Sequence, residues 1–343
     1  MQDDISAASI HDTNDFPLLS VRQLTVELTT RDGVVPVIDN LSFDLQAGGN
    51  ISFVGESGCG KSMTALALMG LLPQPAGRIA SGQILFNNED LTQASDARLR
   101  EIRGNDISMI FQEPMTSLNP VYTIGEQIAE VLRRHRNLDR ADATAKAIEL
   151  LDAVHIPVPA SRINDYPHQL SGGQRQRVMI AIALACEPKI LIADEPTTAL
   201  DVTVQAQIFD LLTELQEKTG TAIILITHDM GAVAKMSKDI VVMYAGRKAE
   251  QGKVAQVIRH PAHPYTRGLI AAVPHLLTTI TEDRPDLLEI PGIVPPLSQF
   301  GQDKCLFASR CEYATQQCHQ QRPIEVIGEN DQLAACWHTD SLS

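Results

Sequence analysis

A glycine-rich segment at residues 55–62 limits the possible fold more than any other feature of the chain. Its letters, GESGCGKS, have the spacing G-x-x-x-x-G-K-[ST] of a P-loop; the apolar run ISFV precedes it and the helix-like stretch SMTALALMGLL continues from it. The glycines let backbone N–H groups turn inward on phosphate oxygens, and the N-terminus of the following helix adds partial positive charge. The sequence therefore predicts a strand, a phosphate-binding loop and a helix, in that order.

The P-loop and the residue after it supply the candidate nucleotide-binding residues. Lys61 is expected to contact the β- and γ-phosphates, and the Ser62 hydroxyl to ligate Mg²⁺. Cys59 has two interpretations: a thiol made acidic by nearby N–H groups and Lys61, or a small side chain that merely fits the loop. The full set is Gly55, Glu56, Ser57, Gly58, Cys59, Gly60, Lys61, Ser62 and Met63.

Short apolar runs elsewhere predict the rest of the sheet. Near-continuous apolar segments with helical stretches between them are typical of central parallel strands that helices cover on both faces. Two earlier segments, LSVRQLTVELTT and VPVIDNLSFDLQ, alternate apolar and polar residues, which predicts half-buried antiparallel strands. The apolar runs are ISFVG (51–55), KILIAD (189–194), AIILIT (222–227) and DIVVMY (239–244).

These patterns predict an α/β fold with a P-loop core and a parallel sheet. An antiparallel β-subdomain, a helical subdomain at about 96–169 and a small cysteine-containing C-terminal domain are expected beside this core. We predict a flexible acidic tail at 1–17, a main domain at 18–260 and a C-terminal domain at 261–343, with a four-Cys segment at 305–336. The last boundary is placed where the sequence becomes Pro-rich and loses its periodic pattern.

Composition argues against several classes of protein. A formal net charge of −14 disfavours sequence-independent nucleic-acid binding, which needs basic surface. The N-terminus lacks the basic start and apolar stretch of a secretory signal, and no window approaches the about 18 apolar residues of a membrane span. We therefore expect a cytoplasmic protein that meets a membrane only through partners, and we do not expect its six cysteines to form disulfides.

Two adjacent carboxylates, Asp194 and Glu195, follow the apolar run ILIA. Asp194 is expected to hold Mg²⁺, generally through water, and Glu195 to accept a proton from the attacking water or to orient it. Adjacent carboxylates can also mark a strand end that meets solvent. The P-loop upstream favours the catalytic interpretation.

Further motifs resemble those of a known family. LSGGQ (170–174), followed by a helix, resembles the signature motif of ABC ATPases, and Gln112, TALD (198–201) and His228 resemble the Q-loop, D-loop and switch histidine of that family in the expected order. The resemblance covers about residues 19–260. It implies the fold of an ABC nucleotide-binding domain, ATP and Mg²⁺ as ligands, and ATP hydrolysis.

The resemblance also implies roles for individual residues. Glu195, His228 and Gln112 are implied to be catalytic, and Gln112 is implied to join Ser62 and Asp194 around Mg²⁺. The signature residues are implied to meet the γ-phosphate of ATP bound to a partner subunit, so that ATP joins two such domains head to tail. Those residues are Ser171, Gly172, Gly173 and Gln174, with Asp201 in the D-loop.

Two positions depart from the common pattern of the family. No Phe, Tyr or Trp lies between Phe16 and Phe43, where an adenine-stacking ring is expected, and Val35 offers only apolar contact there. Met63 stands where many P-loops carry a second hydroxyl group. These departures leave the adenine contact and one α-phosphate contact unassigned.

Longer stretches narrow the resemblance to the ATPases of peptide importers. FQEPMTSLNP (111–120), the sequence around LSGGQ, and HPYT (263–266) are similar to that branch. The resemblance implies two transmembrane permease subunits, a second related ATPase subunit, an extracytoplasmic substrate-binding protein, and a location at the cytoplasmic face of the inner membrane. A nickel or other small-solute importer of the same family is an alternative. A soluble ABC ATPase acting on nucleic acid or ribosomes is disfavoured by the acidic charge and the single ATPase unit.

Four cysteines near the C-terminus are separated by five, six and seventeen residues. These spacings fit zinc fingers and ferredoxins poorly. Some peptide-importer ATPases that resemble this chain carry a [4Fe–4S] cluster in this region, and the same cluster is our hypothesis, with zinc or free thiols as alternatives and His319 and His338 as spare zinc ligands. The cysteines are Cys305, Cys311, Cys318 and Cys336; Cys186 lies in an apolar helix and is expected in the core.

Overall fold

The computed structural model describes residues 16–31, 33–112, 117–198, 200–273, 289–328 and 331–339. All but the last two residues of the predicted acidic tail lie outside this part of the chain. The strands are β1 (Leu19–Thr30), β2 (Gly33–Leu45), β3 (Asn50–Val54), β4 (Gly77–Phe86), β5 (Glu89–Asp90), β6 (Ile107–Ile110), β7 (Ile190–Asp194), β8 (Ala222–Ile226), β9 (Asp239–Tyr244), β10 (Arg247–Lys253), β11 (Val326–Ile327) and β12 (Leu333–Ala334). The α-helices are α1 (Lys61–Leu68), α2 (Asp96–Ile102), α3 (Ile124–Arg136), α4 (Arg140–Ala153), α5 (Pro159–Arg162), α6 (Gly172–Leu184), α7 (Val202–Thr219), α8 (Met230–Met236), α9 (Val254–Arg259), α10 (Pro264–Ala271) and α11 (Gln316–Gln320).

The first sheet is antiparallel, in the order β2–β1–β4–β5. Its register pairs Leu19 with both Leu45 and Phe86, which puts these apolar side chains on one buried face. That face packs with α1 and the second sheet in a shared apolar cluster. The antiparallel strands expected from the alternating segments are therefore confirmed.

The second sheet has the order β11–β12–β10–β9–β3–β8–β7–β6. Its strands from β9 to β6 are parallel, and all of the runs that predicted central strands lie side by side in β9, β3, β8 and β7. β6 joins the edge beside β7, with Ile107 opposite Ile190. The sequence did not predict β6 because its four residues, ISMI, of which three are apolar, are too few to show a period.

A helical layer covers one face of this sheet. α3, α4, α6 and α7 share an apolar cluster with residues of β7 and β8. Side-chain oxygens of Thr123, Asp139 and Asp201 accept hydrogen bonds from the first-turn N–H groups of α3, α4 and α7, which fixes where these helices begin. Cys186 follows α6 and is buried, as the sequence predicted.

The C-terminal segment continues the edge of the second sheet. β12 pairs with β10, so that Glu250 lies opposite Ala334. Tyr265 of α10 is fully buried and packs with Tyr244 of β9 and with Phe307. A separate C-terminal domain from residue 261 stays a prediction.

Across the described ranges, no helix has the length and apolar character needed to span a membrane.

Candidate nucleotide-binding site

The P-loop joins the buried strand β3 to α1, as the sequence predicted. Gly55 has φ +153° and Gly60 has φ +105°, both in the region where a side chain is strained. A Cβ at Gly55 would lie 2.3 Å from the carbonyl oxygen of Met243, and one at Gly60 would lie 2.9 Å from that of Val37. Glycine is therefore required at both positions because neighbouring backbone leaves no room for a side chain.

Lys61 begins α1 and turns back into the loop. Its Nζ donates hydrogen bonds to the carbonyl oxygens of Gly55 at 2.7 Å and Glu56 at 3.1 Å. The side chain is almost fully buried, so the loop holds a cation at its centre. Phosphate oxygens entering the loop would offer this ammonium a charged acceptor in place of neutral carbonyls.

Cys59 is fully buried under the same loop. Burial raises the pKa of its thiol, and the nearby ammonium of Lys61 offsets only part of that rise. The hypothesis that loop N–H groups and Lys61 make this thiol acidic is therefore wrong. The alternative remains, in which Cys59 is a small side chain that fits the loop.

Ser62 and Asp194 meet across the gap between α1 and β7. The Ser62 hydroxyl donates to Oδ1 of Asp194 at 3.0 Å. Burial raises the pKa of Asp194 to about 6, with a smaller contribution from the neighbouring carboxylate Glu195. A divalent cation at this carboxylate would favour its ionised form, and hydroxyl and carboxylate oxygens are ligands that Mg²⁺ accepts.

Glu195 is held by side chains from several loops. Its φ of +44° turns the chain after β7, and its N–H donates to the carbonyl oxygen of Ile226 at 2.8 Å. Oε2 accepts hydrogen bonds from Gln112 Nε2 and from Thr198 Oγ1, both at 3.0 Å. Oε1 lies 3.7 Å from Nδ1 of His228, whose side chain is 71% exposed. The structure therefore brings together all three predicted catalytic side chains.

The signature residues lie at the exposed start of α6. Ser171 Oγ accepts from the N–H of Gln174, and the Gln174 side chain accepts from the N–H of Ser171 in return. Ser171 and Gly172 are exposed, while Gly173 and Gln174 are half-buried. Asp201 caps α7 through the N–H of Val204 and is exposed as well. Within the part of the chain that the structure describes, no hydrogen bond joins these residues to the P-loop.

Comparison with known proteins now decides the family. The ABC transporter family matches residues 38–198, and the C-terminal region of oligopeptide and dipeptide transporters matches residues 249–318. The chain is 47% identical to a dipeptide transport ATP-binding protein of Bacillus subtilis, over 94% of this chain and 95% of that one. It is 49% identical to an oligopeptide transport ATP-binding protein of Haemophilus influenzae, over 94% of this chain and 97% of that one.

This chain is an ABC transporter ATP-binding protein. It belongs to the branch that contains the dipeptide and oligopeptide transport proteins, as the resemblance of its motifs implied. A solved dimer of the ATP-binding cassette MJ0796, bound to ADP and phosphate, superposes with a TM-score of 0.62 at 28% identity, covering 69% of this chain and 98% of that one. The shared fold is therefore that of the ABC nucleotide-binding domain, and the chain is an ATP hydrolase.

Sequence reasoning missed three contacts in the site of this ABC protein. Thr198 binds Glu195, and two threonines after a strand-end carboxylate could have suggested it because such hydroxyls often bond nearby groups. Tyr265 and Arg310 reach the P-loop from the C-terminal segment. Nothing in their local sequence signals this contact, since both lie more than 200 residues away.

The adenine contact stays unassigned. Val35, the apolar residue considered for it, is buried and packs in the cluster that contains Val54 and Tyr244. Met63 packs against the core cluster around α1. Neither of these two side chains offers a ring on which adenine could stack.

The four C-terminal cysteines of this ABC protein lie around one small cavity, together with His338. Burial is the main cause that raises the pKa of the Cys305 thiol to about 11, with smaller contributions from the other three cysteines. Burial also raises the pKa of Cys311 and Cys336. Nε2 of His338 lies 3.7 Å from Sγ of Cys318. His319 does not line the cavity. The ionised forms of these four thiols would repel one another, so the group suits a site at which a bound cation neutralises the thiolates.

Ligand geometry for a metal is not preformed. Within the ranges that the structure describes, no group of three or more His, Cys, Asp or Glu side chains is arranged to hold a metal ion. For Mg²⁺ this is the usual situation, because phosphate oxygens and waters complete its shell. For the cysteines it means that the thiols are gathered without being set at ligand positions.

Proposed function

We propose that this ATPase subunit powers the import of dipeptides or oligopeptides through a membrane ABC transporter. Two features of the same chain support the proposal. It contains a P-loop with Asp194 and Glu195 beside it, and its residues 249–318 match the C-terminal region of oligopeptide and dipeptide transporters. Nickel or another small solute of the same transporter family is the alternative cargo. The cargo need not touch this chain, so the contacts within the chain do not distinguish a peptide from nickel or another small solute.

The site residues suggest how hydrolysis proceeds. Lys61 and the loop N–H groups would bind the phosphates, and Ser62 and Asp194, with Gln112, would hold Mg²⁺, which would neutralise phosphate charge. Glu195 takes a proton from, or orients, the attacking water. His228, 3.7 Å from Glu195, keeps that carboxylate and the γ-phosphate in line.

We also infer that two such domains close on ATP. Ser171 caps α6, and Gly172 and Gly173 form its first turn; Ser171 and Gly172 are exposed, and the partial positive charge of this helix N-terminus suits a phosphate held by another chain. Asp201 lies at the exposed start of α7 and is assigned to the same interface. A related but non-identical ATPase is the proposed partner.

The rest of the assembly follows from the family. Two transmembrane permease subunits and an extracytoplasmic substrate-binding protein are proposed, with this chain bound to the permeases at the cytoplasmic face of the inner membrane. No nucleic-acid partner is expected, since a net charge of −14 opposes phosphate backbone binding.

The transport assignment is tested by ATPase assays of the chain assembled with its co-purifying membrane subunits in lipid vesicles. Peptide-loaded substrate-binding protein should raise ATP hydrolysis at least about threefold over the unloaded protein. Stimulation by a nickel-loaded protein and not by peptide would transfer the assignment to the alternative cargo. Stimulation by neither would contradict both.

We further propose that the C-terminal segment is a small structural domain built around a [4Fe–4S] cluster held by Cys305, Cys311, Cys318 and Cys336. Support comes from the shared cavity of the four thiols and from their soft donor chemistry, which suits iron–sulfur clusters. The cluster would supply cross-links between these loops. Zinc is the second candidate, because His338 lies beside Cys318.

Metal content distinguishes these possibilities. Protein purified without oxygen should contain iron and acid-labile sulfide at about four each per chain. Cys305→Ser should lose both, whereas the buried Cys186→Ser, outside the cavity, should keep them. Zinc at about one per chain without sulfide would replace the cluster with a zinc site, and absence of all three would leave plain thiols.

A further inference from the structure

Glu56, the second residue of the P-loop, is where several constraints on the loop meet. Its carbonyl oxygen accepts hydrogen bonds from Lys61 Nζ at 3.1 Å and from the N–H of Cys59 at 3.3 Å. Its N–H donates to the hydroxyl of Tyr265 at 2.8 Å. A displacement of Glu56 would therefore move the lysine and the turn that bind phosphate.

The side chain of Glu56 is held by Arg310. The two groups form a paired contact, Nη1 to Oε2 at 2.7 Å and Nη2 to Oε1 at 3.0 Å. The side chain of Arg310 is only 3% exposed and that of Glu56 29%, so water weakens this ion pair less than an exposed one. A bidentate pair also fixes direction, which a point charge cannot do.

Arg310 is itself held rigidly. Its Nε donates to the carbonyl oxygen of Pro291 at 2.8 Å, and its guanidinium lies 5.8 Å from the ring centres of both Tyr244 and Phe307. Its N–H bonds the carbonyl oxygen of Phe307 in a short turn between Cys305 and Cys311. The guanidinium is therefore fixed in place by contacts with β9 and with the C-terminal segment.

Both contacts to Glu56 come from outside the ABC transporter match at 38–198. Tyr265 and Arg310 lie within residues 249–318, the part that matches the C-terminal region of peptide transporters. We propose that Arg310, with Tyr265, is a positioning residue that sets the P-loop through Glu56, so that nucleotide affinity depends on the C-terminal segment. The proposal rests on the proposed nucleotide-binding role of the loop.

Equilibrium binding of Mg-ADP, measured by calorimetry on the full chain, tests this link because it involves one subunit's loop and no turnover. Arg310→Gln should raise the Kd about five- to tenfold, which is less than the full contribution of a charge-assisted contact because the variant lacks that contact both with and without nucleotide. At saturating ATP the kcat of the assembled ATPase should change less than about twofold, because the catalytic side chains are untouched. Arg310→Lys should restore only part of the affinity, since it cannot make the bidentate pair.

The matched control is Arg322→Gln. Arg322 follows Arg310 in the C-terminal segment, and its Nη1 donates to Oδ2 of Asp39 at 3.1 Å instead of to a residue of the P-loop. Its loss should leave the Kd within about twofold. In a Glu56→Gln background, Arg310→Gln should have no further effect, because the two changes remove one contact.

Several results would overturn the proposal. The first is an unchanged Kd for Mg-ADP in a folded Arg310→Gln protein, and the second is an equal rise of the Kd in Arg322→Gln. The third is that Arg310→Gln raises the Kd as much in the Glu56→Gln background as in the wild type. Thermal unfolding shows whether Arg310→Gln is folded. If it is not, the Kd for Mg-ADP is measured in Glu56→Gln instead, and an unchanged Kd in that variant would refute the link. Failure of the wild-type chain to bind Mg-ADP would instead refute the proposed function itself.

Discussion

Replacing Glu195 by Gln should stop hydrolysis while leaving the fold and ATP binding intact. The amide has the same shape, and its oxygen can still accept from Gln112 and Thr198 at the 3.0 Å positions that Oε2 now occupies. The change also removes a negative charge that contributes to the raised pKa of Asp194, although burial is the larger cause. We therefore expect a melting temperature equal to or slightly above that of the wild type.

The rate should fall because an amide cannot accept the proton of the attacking water. Loss of a positioned general base typically costs about 10²- to 10⁴-fold, which is about 3–5 kcal/mol of transition-state stabilisation. ATP should then remain bound between closed domains, so the ATP-dependent dimer should persist. Steady-state phosphate release measures the rate, and size-exclusion chromatography with ATP measures the dimer.

Glu217→Gln is the matched control, because Glu217 is exposed on α7 and lies outside the site. It should hydrolyse ATP at the wild-type rate and release its dimer. Hydrolysis by Glu195→Gln within about threefold of the wild type would refute the argument, since Glu195 would then not be the group that activates water.

Three further substitutions test the loops around the site. Because burial raises the pKa of Cys59, its thiol should stay neutral at pH 8 and react with iodoacetamide far more slowly than an exposed cysteine. For the same reason, Cys59→Ser should keep its ATPase activity. Labelling of the folded protein is followed by mass spectrometry, and rapid labelling of Cys59 would contradict the prediction. In the signature motif, a Cβ at Gly172 would lie 3.6 Å from Leu200 Cδ2, so Gly172→Ala should change the free energy of unfolding by no more than about 0.5 kcal/mol. The same variant should reduce ATPase activity at least about tenfold, because it alters the surface that meets the phosphate bound to the partner subunit. Gly173→Ala should lose activity and also about 1 kcal/mol of unfolding free energy, since its Cβ would lie 2.9 Å from Val204 Cγ1. Melting temperatures and ATPase rates of both variants test these predictions. Normal activity of Gly172→Ala would contradict the proposed interface.

Much of the candidate site could be predicted from the sequence because it is built from short motifs. The P-loop spacing, the strand-end pair Asp194 and Glu195, and the apolar runs of β3, β7, β8 and β9 each carry their own local signal. The parallel order of those strands then places their carboxyl ends at one edge, which brings Asp194 to Ser62.

Other features had weak signals or misleading ones. The strand β6 was missed because it is four residues long and lies in a mostly helical stretch. Of the two interpretations of Cys59, its neighbours along the chain suggested the acidic thiol, whereas burial, which raises its pKa, depends on side chains from distant strands.

The sequence by itself determined the phosphate-binding chemistry of the nucleotide site, since the P-loop and the Asp194 and Glu195 pair each stand in a short motif, but it left the adenine contact unassigned. Only the tertiary structure decided what holds that site in place. Arg310 meets Glu56 across 254 residues, and the four cysteines meet around one cavity despite irregular spacing. Such contacts depend on how the C-terminal segment packs on the edge of the sheet, and packing between distant segments leaves no periodic trace in the sequence.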